Sequence, residues 1–240
     1  MKAVFLSDAH LQSKEDANYN YLLRFLGLLK GKIDHLFIVG DFFDFWFCKE
    51  GKIYPDFKAI INKLIELKNS GVHIHLYEGN HDFFLEKFFT NTHGMEVFPE
   101  WGVINLDGIR TLVSHGDTID TTNTRYLMLR KILRSSIFYR IQDQIPLVIL
   151  WKIARMSSKI SNEHLAKPPD RLVKIMEAFT IGKFKEGFDA VILGHCHTPT
   201  IKQYVIDGRG KTFVTLGDWI SHFSYLLYED GNFILSAYRP

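Results

Sequence analysis

The sequence is poor in cysteine and has no long apolar run, and both deficits limit what the protein can be. Only Cys48 and Cys196 carry thiols among 240 residues, too few for a disulfide framework, so we expect a reducing compartment. The longest strongly apolar run, residues 145–151, is far shorter than the ~20 residues that span a bilayer. The N-terminal run at residues 3–6 is too short for a signal peptide. We therefore expect a cytoplasmic protein, attached at most to a membrane surface.

The charge balance gives no sign of a polyanionic partner. The formal net charge is only +2, which does not by itself imply a polyanionic partner, so we expect no nucleic acid. Hydrophobic residues make up 46% of the chain, enough for one sizeable core. We expect a single domain over residues 1–240.

Short apolar runs alternate with amphipathic stretches in the first third of the chain. We expect strands at residues 3–6, His35–Val39 and 72–77, with helices at residues 21–29 and 57–67 between them. A strand–helix–strand order of this kind predicts parallel strands with helical crossovers. The chain is therefore expected to have a mixed α/β fold.

The second half shows a different pattern. Three Asp-Gly pairs lie between apolar runs, where they favour hairpin turns and antiparallel strands. They are Asp107-Gly108, Asp207-Gly208 and Asp230-Gly231.

One stretch, residues 126–160, has no strand pattern and only one acid, Asp143, but seven cations among many large aliphatic residues. We expect two or more helices broken near Pro146, forming a cap insert at about residues 122–167. Pro168-Pro169 is expected to start a further helix.

Five apolar strands each run into a polar cluster. In open α/β sheets, sites form beyond the carboxyl ends of the strands, so these clusters are expected to meet at one edge. The clusters are Asp8-Ala9-His10, Gly40-Asp41, Gly79-Asn80-His81-Asp82, His115-Gly116-Asp117 and Gly194-His195-Cys196-His197.

Carboxylate, imidazole and amide groups together suit divalent metals of intermediate hardness. We expect Asp8 and His10 to point to the same side of an extended segment, and Asp41 to bridge two metals. Two ions ~3.5–4 Å apart would clamp an in-line displacement at phosphorus. A single histidine here would more commonly be structural, so the prediction depends on five motifs in order. The seven predicted ligands are Asp8, His10, Asp41, Asn80, His115, His195 and His197.

These motifs resemble those of the calcineurin-like metallophosphoesterases. The resemblance implies a four-layer αββα sandwich with a dinuclear site. It implies that Asp82 and Asp117 orient histidines, whereas Asp44 either orients a histidine or caps the following segment. It assigns one metal to Asp8, His10, Asp41 and His197, and the other to Asp41, Asn80, His115 and His195.

The insert can be interpreted in three ways. Core helices would show a polar face with both signs of charge, but acid is nearly absent. A nucleic-acid surface would carry cations with fewer large aliphatics. A lipid-facing cap combines apolar residues for acyl chains with cations for phosphate or anionic headgroups, and this interpretation is favoured.

The insert and its flanking motifs resemble the UDP-2,3-diacylglucosamine hydrolases of lipid A biosynthesis. The motifs that carry the resemblance are Ser114-His115-Gly116-Asp117-Thr118, Ser158-Lys159-Ile160-Ser161-Asn162, Gly194-His195-Cys196-His197-Thr198-Pro199 and Leu216-Gly217-Asp218-Trp219. The resemblance implies a peripheral enzyme on the cytoplasmic face of the inner membrane. It implies manganese-dependent cleavage of a lipid-linked nucleotide to UMP and 2,3-diacylglucosamine 1-phosphate.

The same resemblance implies a set of catalytic and substrate-binding residues. Asn123 stands where many members have Asp, and Lys167 stands two residues further from Asn162 than the substrate lysine of the family. The implied catalytic residues are His81, Asp82 and His195. The implied substrate contacts are Asn80, His81, Asn123, Ser158, Asn162, Lys167 and His195.

His81 departs from the best-known members, which have arginine after the ligand asparagine. A phosphate leaving group needs little protonation, whereas an alkoxide leaving group needs an acid such as histidine. His81 is therefore compatible with pyrophosphate cleavage and also with a phosphodiesterase or phosphatase acting on another nucleotide or phospholipid. A metallophosphoesterase fold reused as a binding scaffold would normally have lost ligands, and none is missing here.

Overall fold

Two β-sheets organise the protein, whose computed structural model describes residues 1–161 and 169–239. In chain order the strands are β1 (Lys2–Leu6), β2 (His35–Val39), β3 (His73–Tyr77), β4 (Glu96–Phe98), β5 (Trp101–Leu106), β6 (Ile109–Ser114), β7 (Ala190–Leu193), β8 (Thr200–Ile206), β9 (Arg209–Thr215), β10 (Ser224–Glu229) and β11 (Asn232–Ala237). The helices are α1 (Ala17–Leu29), α2 (Lys58–Asn69), α3 (Glu86–His93), α4 (Thr124–Leu133), α5 (Ser136–Gln144), α6 (Leu147–Ser161) and α7 (Pro169–Lys185).

The first sheet has the order β11-β10-β1-β2-β3-β4 and the second β5-β6-β7-β9-β8. Strands β1 to β4 are parallel, which confirms the prediction for the first third. The prediction of an antiparallel second half is right for its hairpins but wrong for the centre of the second sheet. There β6, β7 and β9 are parallel, because α7 and the β8 excursion provide crossover connections that short-range turn signals do not reveal.

The three Asp-Gly hairpins form as predicted. Each joins the last residue of one strand to the first residue of the next: β5 to β6, β8 to β9 and β10 to β11. Both residues of each turn have positive φ, for example +51° at Asp107 and +94° at Gly108. This is the backbone that a two-residue hairpin with the twist of its strands requires.

Three apolar clusters define four layers. The cluster between the two sheets includes Phe5 and Phe37 from the first sheet and Val113 and Ile192 from the second. A second cluster joins the other face of the first sheet to α1, α2 and α3. A third joins the second sheet to α7 around the fully buried Met176. The mixed α/β fold with helices outside two sheets is thereby confirmed.

Helices α4, α5 and α6 lie between β6 and β7 in the chain and form the predicted insert as far as residue 161; we call them the cap. The break near Pro146 is confirmed, since α5 ends at Gln144 and α6 begins at Leu147. Helix α7 begins at Pro169, as predicted. Across the described ranges, no helix combines the length and apolar content that crossing a bilayer requires.

Candidate metal centre

The five predicted clusters lie directly beyond β1, β2, β3, β6 and β7. Their backbone differs from the expectation at several ligands. Asp8 and His10 have φ of +53° and +43°, so the segment is not extended and strand alternation does not explain their common direction. Asp41, His195 and His197 also have positive φ. Such conformations are rare outside glycine and concentrate at functional sites.

Two glycines allow the strand ends to approach each other. A Cβ atom at position 40 would lie 2.5 Å from Nδ1 of His115, and a Cβ at position 79 would lie 2.1 Å from Oδ1 of Asp41. Both distances are far below van der Waals contact, so no other residue fits without displacing a candidate ligand. These glycines therefore allow the strand ends to approach each other closely.

The first group of candidate ligands comprises Asp8, His10 and His197, whose ligand atoms lie within 4.8 Å of one another. Nε2 of His197 is 3.4 Å from Oδ1 of Asp8, and Nε2 of His10 is 3.9 Å from the same oxygen. Ligands of one ion at ordinary coordination distances are about 3.0–3.4 Å apart. The three groups are therefore close to the spacing that a shared ion requires.

The second group comprises Asp41, His115 and His195, also within 4.8 Å. Nε2 of His115 lies 3.3 Å from Oδ2 of Asp41 and 3.1 Å from Oδ1 of Asn80. Asn80 thus joins this group through its amide oxygen, a ligand type that divalent ions accept.

Asp41 belongs to both groups. The same Oδ2 atom that faces His115 lies 3.6 Å from Nε2 of His10. Oδ1 of Asp8 and Nε2 of His10 are buried and accept or donate no hydrogen bond within the described ranges. Buried polar atoms of this kind normally have partners, so their convergence fits the binding of cations. The donor set can hold two divalent metal ions, with Asp41 between them.

Three of the histidines, His10, His115 and His197, present Nε2 inward because acceptors face their other ring nitrogen. Nδ1 of His115 lies 3.1 Å from the carbonyl oxygen of Val39. Nδ1 of His10 lies 3.6 Å from Asp44, and Nδ1 of His197 lies 3.7 Å from Asp218. Such partners fix the tautomer and ring orientation of metal-binding histidines. The sequence left two roles open for Asp44, orienting a histidine or capping the following segment. The structure places its side chain next to a histidine ring.

Asp218 was not predicted from its type and position. It lies in the Leu216-Gly217-Asp218-Trp219 motif, but no ligand pattern marks it. Its carboxylate accepts hydrogen bonds from the backbone N–H groups of Ile220, Ser221 and His222. Despite burial, these bonds and the His197 ring hold the pKa of Asp218 well below its usual range.

Asp82 and Asp117 make no hydrogen bond to a histidine in the described ranges, although their charges act on His81 and His115. Asp82 accepts hydrogen bonds from the backbone N–H groups of residues 41, 42, 43 and 79, at 2.7–3.1 Å. It therefore clamps the loops after β2 and β3. Asp117 instead accepts from Tyr126 and Arg130 of the cap, each at 2.6 Å. Sequence spacing could not distinguish backbone partners from imidazole partners.

His81 is placed to offer one ring nitrogen to a substrate. Its Nδ1 is 3.0 Å from the carbonyl oxygen of Asp44, and its backbone N–H donates to Oδ1 of Asp41 at 2.9 Å. Burial disfavours the charged ring, but the carboxylates of Asp41 and Asp44 outweigh it and raise the pKa of His81. The ring therefore favours the protonated form that a general acid needs.

The pKa values of the two histidines of the second group are shifted in opposite directions. Although burial opposes it, the Asp41 carboxylate raises the pKa of His115 to about 10. Burial, with the neighbouring His115, lowers the pKa of His195 to about 4. Burial and the Asp41 charge raise the pKa of Asp82 to about 7. Cations compete with protons at such groups, so metal affinity is expected to rise with pH.

The cap is attached to the metal-centre loops by two arginines, Arg130 of α4 and Arg134 directly after the helix. Arg130 reaches Asp117, two residues after His115, and also Glu100 at 3.0 Å. Arg134 donates to the carbonyl oxygen of Gly79 at 2.8 Å and pairs with Glu78 at 2.9 Å. Two of the loops that carry the second ligand group, those of Asn80 and His115, are thus tied to the cap. The sequence suggested only that these arginines were cap cations.

A cavity of about 600 Å³ lies between the cap and the metal centre. Asn80 and His81 line one end of it, and side chains of all three cap helices line the rest. Its walls are mostly apolar, with Phe45, Trp46 and Phe83 on the sheet side. The apolar residues from the cap are Leu129, Leu133, Phe138, Ile141, Ile145, Leu150, Ile153 and Ala154.

The remaining predicted substrate contacts are placed only in part. Asn123 is the N-cap of α4 and accepts a hydrogen bond from the backbone N–H of Tyr126 at 3.4 Å. Ser158 lies in the last turns of α6. Asn162 and Lys167 lie outside the described residues.

Comparison with known proteins adds to this geometry. Residues 1–199 match the sequence model of the calcineurin-like phosphoesterases. The UDP-2,3-diacylglucosamine hydrolase of Neisseria meningitidis serogroup B is 30% identical over 233 residues, which cover 96% of this chain and 95% of that enzyme. The enzyme of the same name from Pseudomonas entomophila is 31% identical over 247 residues, covering 98% of each chain. That from Vibrio cholerae is 31% identical over 240 residues, covering 95% of each.

Proposed function

Since the chain belongs to the calcineurin-like phosphoesterase family, we propose that it is a metal-dependent hydrolase of UDP-2,3-diacylglucosamine in lipid A biosynthesis. Water would add to one phosphorus of the pyrophosphate while the bridging P–O bond breaks. The products would be UMP and 2,3-diacylglucosamine 1-phosphate. The observation that carries the proposal is the apolar cavity that opens directly onto the candidate metal centre.

The cavity suits the acyl part of this substrate. Ligand sites are typically about 300–1,000 Å³ in volume and mostly apolar, with a few placed polar groups. Here Asn80, His81 and Asp44 are the polar lining residues next to the metal centre, and the cap adds Tyr126, Arg130 and Gln142. Each CH₂ group buried there contributes about 0.8 kcal/mol, so a long acyl chain would dominate affinity. A water-soluble phosphodiester has no acyl chain to fill the cavity, so water would remain in it.

Two divalent ions, which we propose to be Mn²⁺, would be held by the two ligand groups that share Asp41. When bound, such ions polarise the phosphoryl oxygens and activate the attacking water. Imidazole and carboxylate ligands fit manganese, and coordination preference alone does not distinguish it from iron or zinc. The proposal of manganese follows from the family resemblance of the sequence motifs, and elemental analysis of the purified protein tests it.

The protein's own residues would position the substrate and supply protons. His81, with Nδ1 bonded to Asp44, would donate from Nε2 to the leaving phosphate oxygen. His195, beside the second ligand group, would hydrogen-bond a phosphoryl oxygen. Asp82 would hold the β2 and β3 loops in register, so its catalytic contribution would be one of positioning. Asn80 would orient the same phosphoryl group, and Asn123 together with Ser158, Asn162 and Lys167 would complete substrate binding.

The outer surface of the cap suits an anionic membrane. Val148 and Ile137 are 71% and 70% exposed and do not line the cavity. Four more apolar side chains are exposed and lie outside the cavity lining: Met128, Ile132, Ile149 and Met156. Apart from Arg130 and Arg134, which bind the loops beneath the cap, residues 122–161 carry six cations and a single acid, and each cation near an anionic surface contributes about 1 kcal/mol. We propose peripheral attachment to the cytoplasmic face of the inner membrane, with residues 122–167 acting as the lipid-binding insert.

A second candidate function is hydrolysis of another phosphodiester or phosphomonoester. The observation that favours it is the His81 ring, which has a raised pKa and lies beside the ligands, because an alkoxide leaving group needs such an acid. Comparable turnover of bis(p-nitrophenyl) phosphate and the lipid nucleotide, with no dependence on acyl chains, would favour this alternative.

The proposed substrate can be identified directly. An Asp41→Asn variant should bind lipid without efficient turnover, so lipid extracted from the purified variant should contain UDP-2,3-diacylglucosamine by mass spectrometry. The matched control is Val205→Asp, a substitution on an exposed strand residue that touches neither the cap nor the metal centre. This control should retain activity and contain little substrate. Recovery of only ordinary phospholipid from Asp41→Asn would contradict the proposed substrate.

A further inference from the structure

A second recess reaches the candidate metal centre from another direction. It has a volume of about 410 Å³ and includes His10, Gln12, Asn18, Tyr21 and Phe223 in its walls. It shares no lining residue with the cap cavity, which meets the centre at Asn80 and His81. We call this recess the α1 groove, because Ala17 and Asn18 at the start of α1 form part of it.

We infer that the α1 groove binds the nucleoside part of the substrate, an inference that rests on the proposed function. A lipid-linked nucleotide has two dissimilar halves joined by the reacting pyrophosphate. If the acyl half fills the cap cavity, the reacting phosphorus lies at the metal centre and the nucleoside must leave through a different opening. The α1 groove begins at His10, a candidate ligand of the first group, and provides that opening.

The walls of the α1 groove suit a nucleobase. The rings of Tyr21 and Phe223 are 5.7 Å apart in an edge-to-face arrangement, and both side chains are only partly buried. Phe223 has a φ of +48°, a left-handed backbone that bulky residues rarely adopt and that is typical of functional positions. Partly exposed aromatic rings next to a phosphate-handling centre provide stacking surfaces for a base.

Polar groups on the same walls match the hydrogen-bonding edge of uracil, which has two acceptors and one donor. Oδ1 of Asn18 accepts from the backbone N–H of Tyr19 at 2.9 Å, so its NH₂ group remains as a donor. Gln12 offers both a donor and an acceptor. The carboxylate of Asp16, which accepts from the backbone N–H of Ser13 at 3.0 Å, suits ribose hydroxyls.

Asp218 connects the α1 groove to the metal centre. Its carboxylate accepts from the backbone N–H of Ile220, which also lines the groove. The same carboxylate faces Nδ1 of His197 at 3.7 Å. Asp218 thus holds the loop that carries Ile220 and also faces the candidate ligand His197. The groove and the metal centre are therefore held in a constant relative position.

Binding of UMP, measured by isothermal titration calorimetry on manganese-loaded full-length protein, tests the inference. Tyr21→Ala should raise the UMP dissociation constant by roughly 5- to 100-fold, the loss typical of one base–aromatic stack. Tyr21→Phe should keep wild-type affinity, because it retains the ring. Leu28→Ala, on the exposed side of the same helix, is the matched control and should also bind as the wild type does.

A second measurement locates the base without relying on a variant. Photocrosslinking of 5-iodo-UMP to the wild-type protein should give adducts at Tyr21 or Phe223, identified by peptide mass spectrometry. Adducts confined to Phe45, Trp46 or Phe83 of the cap cavity would overturn the inference. Unchanged UMP affinity in Tyr21→Ala would overturn it as well.

Failure of the inference and failure of the proposed function give different results. The same preparations are assayed for UMP release from UDP-2,3-diacylglucosamine in detergent. If the wild type releases UMP but Tyr21→Ala binds UMP normally, the α1 groove is not the nucleoside site and the function stands. If no UMP is released but Tyr21 remains essential for UMP binding, the groove binds a nucleotide and the proposed substrate is wrong.

Discussion

Replacing Leu133 by aspartate should impair acyl-chain binding and leave the metal centre unchanged. Leu133 is the last residue of α4 and lines the cap cavity. It is partly buried and touches none of the candidate ligands through a hydrogen bond or ion pair in the described part of the chain. The substitution removes an apolar wall and introduces a charge where the acyl chain would lie.

The magnitude follows from the apolar area that a bound chain would cover. Full burial of a leucine side chain is worth about 1.5–3 kcal/mol, and an ionised carboxylate facing the chain adds a desolvation cost. Loss of the leucine contact alone corresponds to a fall in kcat/KM of roughly 10- to 150-fold. Because short acyl groups do not extend along the cavity, their kcat/KM should change by less than about 3-fold.

The assay compares kcat/KM for UDP-2,3-diacylglucosamine carrying long chains with that for a diacetyl analogue, both in detergent. Val205→Asp is the matched control, because it introduces the same charge at a residue that is 79% exposed on β8. It should change neither value. Equal losses on the long-chain and short-chain substrates in Leu133→Asp would refute the reasoning, since they would show that Leu133 supports the fold and not the lipid.

Three further predictions test other parts of the structure. Asp41→Ala removes the carboxylate oxygen that faces both ligand groups. Bound metal, measured by elemental analysis, should fall below two ions per chain, and UMP release should be lost. Retained activity would contradict the bridging role of Asp41. Val148→Asp places a charge on the outer cap surface at a side chain that is 71% exposed. It should weaken binding to anionic vesicles about 10-fold in a sedimentation assay and leave turnover in detergent unchanged. Unaltered vesicle binding would argue against this membrane face. Arg134→Met leaves the Glu78 side chain, only 6% exposed, without its ion-pair partner and should lower the free energy of unfolding in urea by about 3 kcal/mol. Adding Glu78→Gln should recover much of that loss, and no recovery would mean that Arg134 acts through its other contacts.

Short-range sequence patterns predicted the strands and turns whose structure depends mainly on neighbouring residues. The strands before Asp8, Asp41 and His115 are short apolar runs that end in polar clusters, and the sheets place them as expected. The Asp-Gly turns form because both of their residues tolerate positive φ. Helix α1 begins at Ala17, four residues before the predicted start, because Tyr19 is fully buried although its neighbours are polar.

Contacts between distant segments were not predictable in the same way. Asp218 faces a candidate ligand, His197, although β8 and β9 lie between them in the chain, and no spacing rule links the two. Arg130 and Arg134 looked like cations for a lipid surface, yet both are committed to the loops beneath the cap. Long charged side chains can reach backbone carbonyls or carboxylates with similar ease, so composition alone does not decide between an exposed cation and a buried tie.

Short-range sequence patterns also failed to predict the backbone conformation at the ligands. Strand periodicity predicted that Asp8 and His10 share a side of an extended segment, whereas both adopt left-handed conformations. Such conformations cost energy in isolation and persist only where surrounding structure holds them. Here the backbone bonds from Asp8 to Gly40 and from His10 to Asp41 provide part of that support.

Release of UMP from UDP-2,3-diacylglucosamine by manganese-loaded protein tests the central claim most directly. Metal-dependent release is expected, with a large preference over UDP-N-acetylglucosamine, which has the same nucleotide but no long acyl chain. Release should be abolished by chelation and restored by added Mn²⁺. Absence of UMP from the lipid substrate, in a preparation that binds two metal ions and hydrolyses bis(p-nitrophenyl) phosphate, would contradict the account.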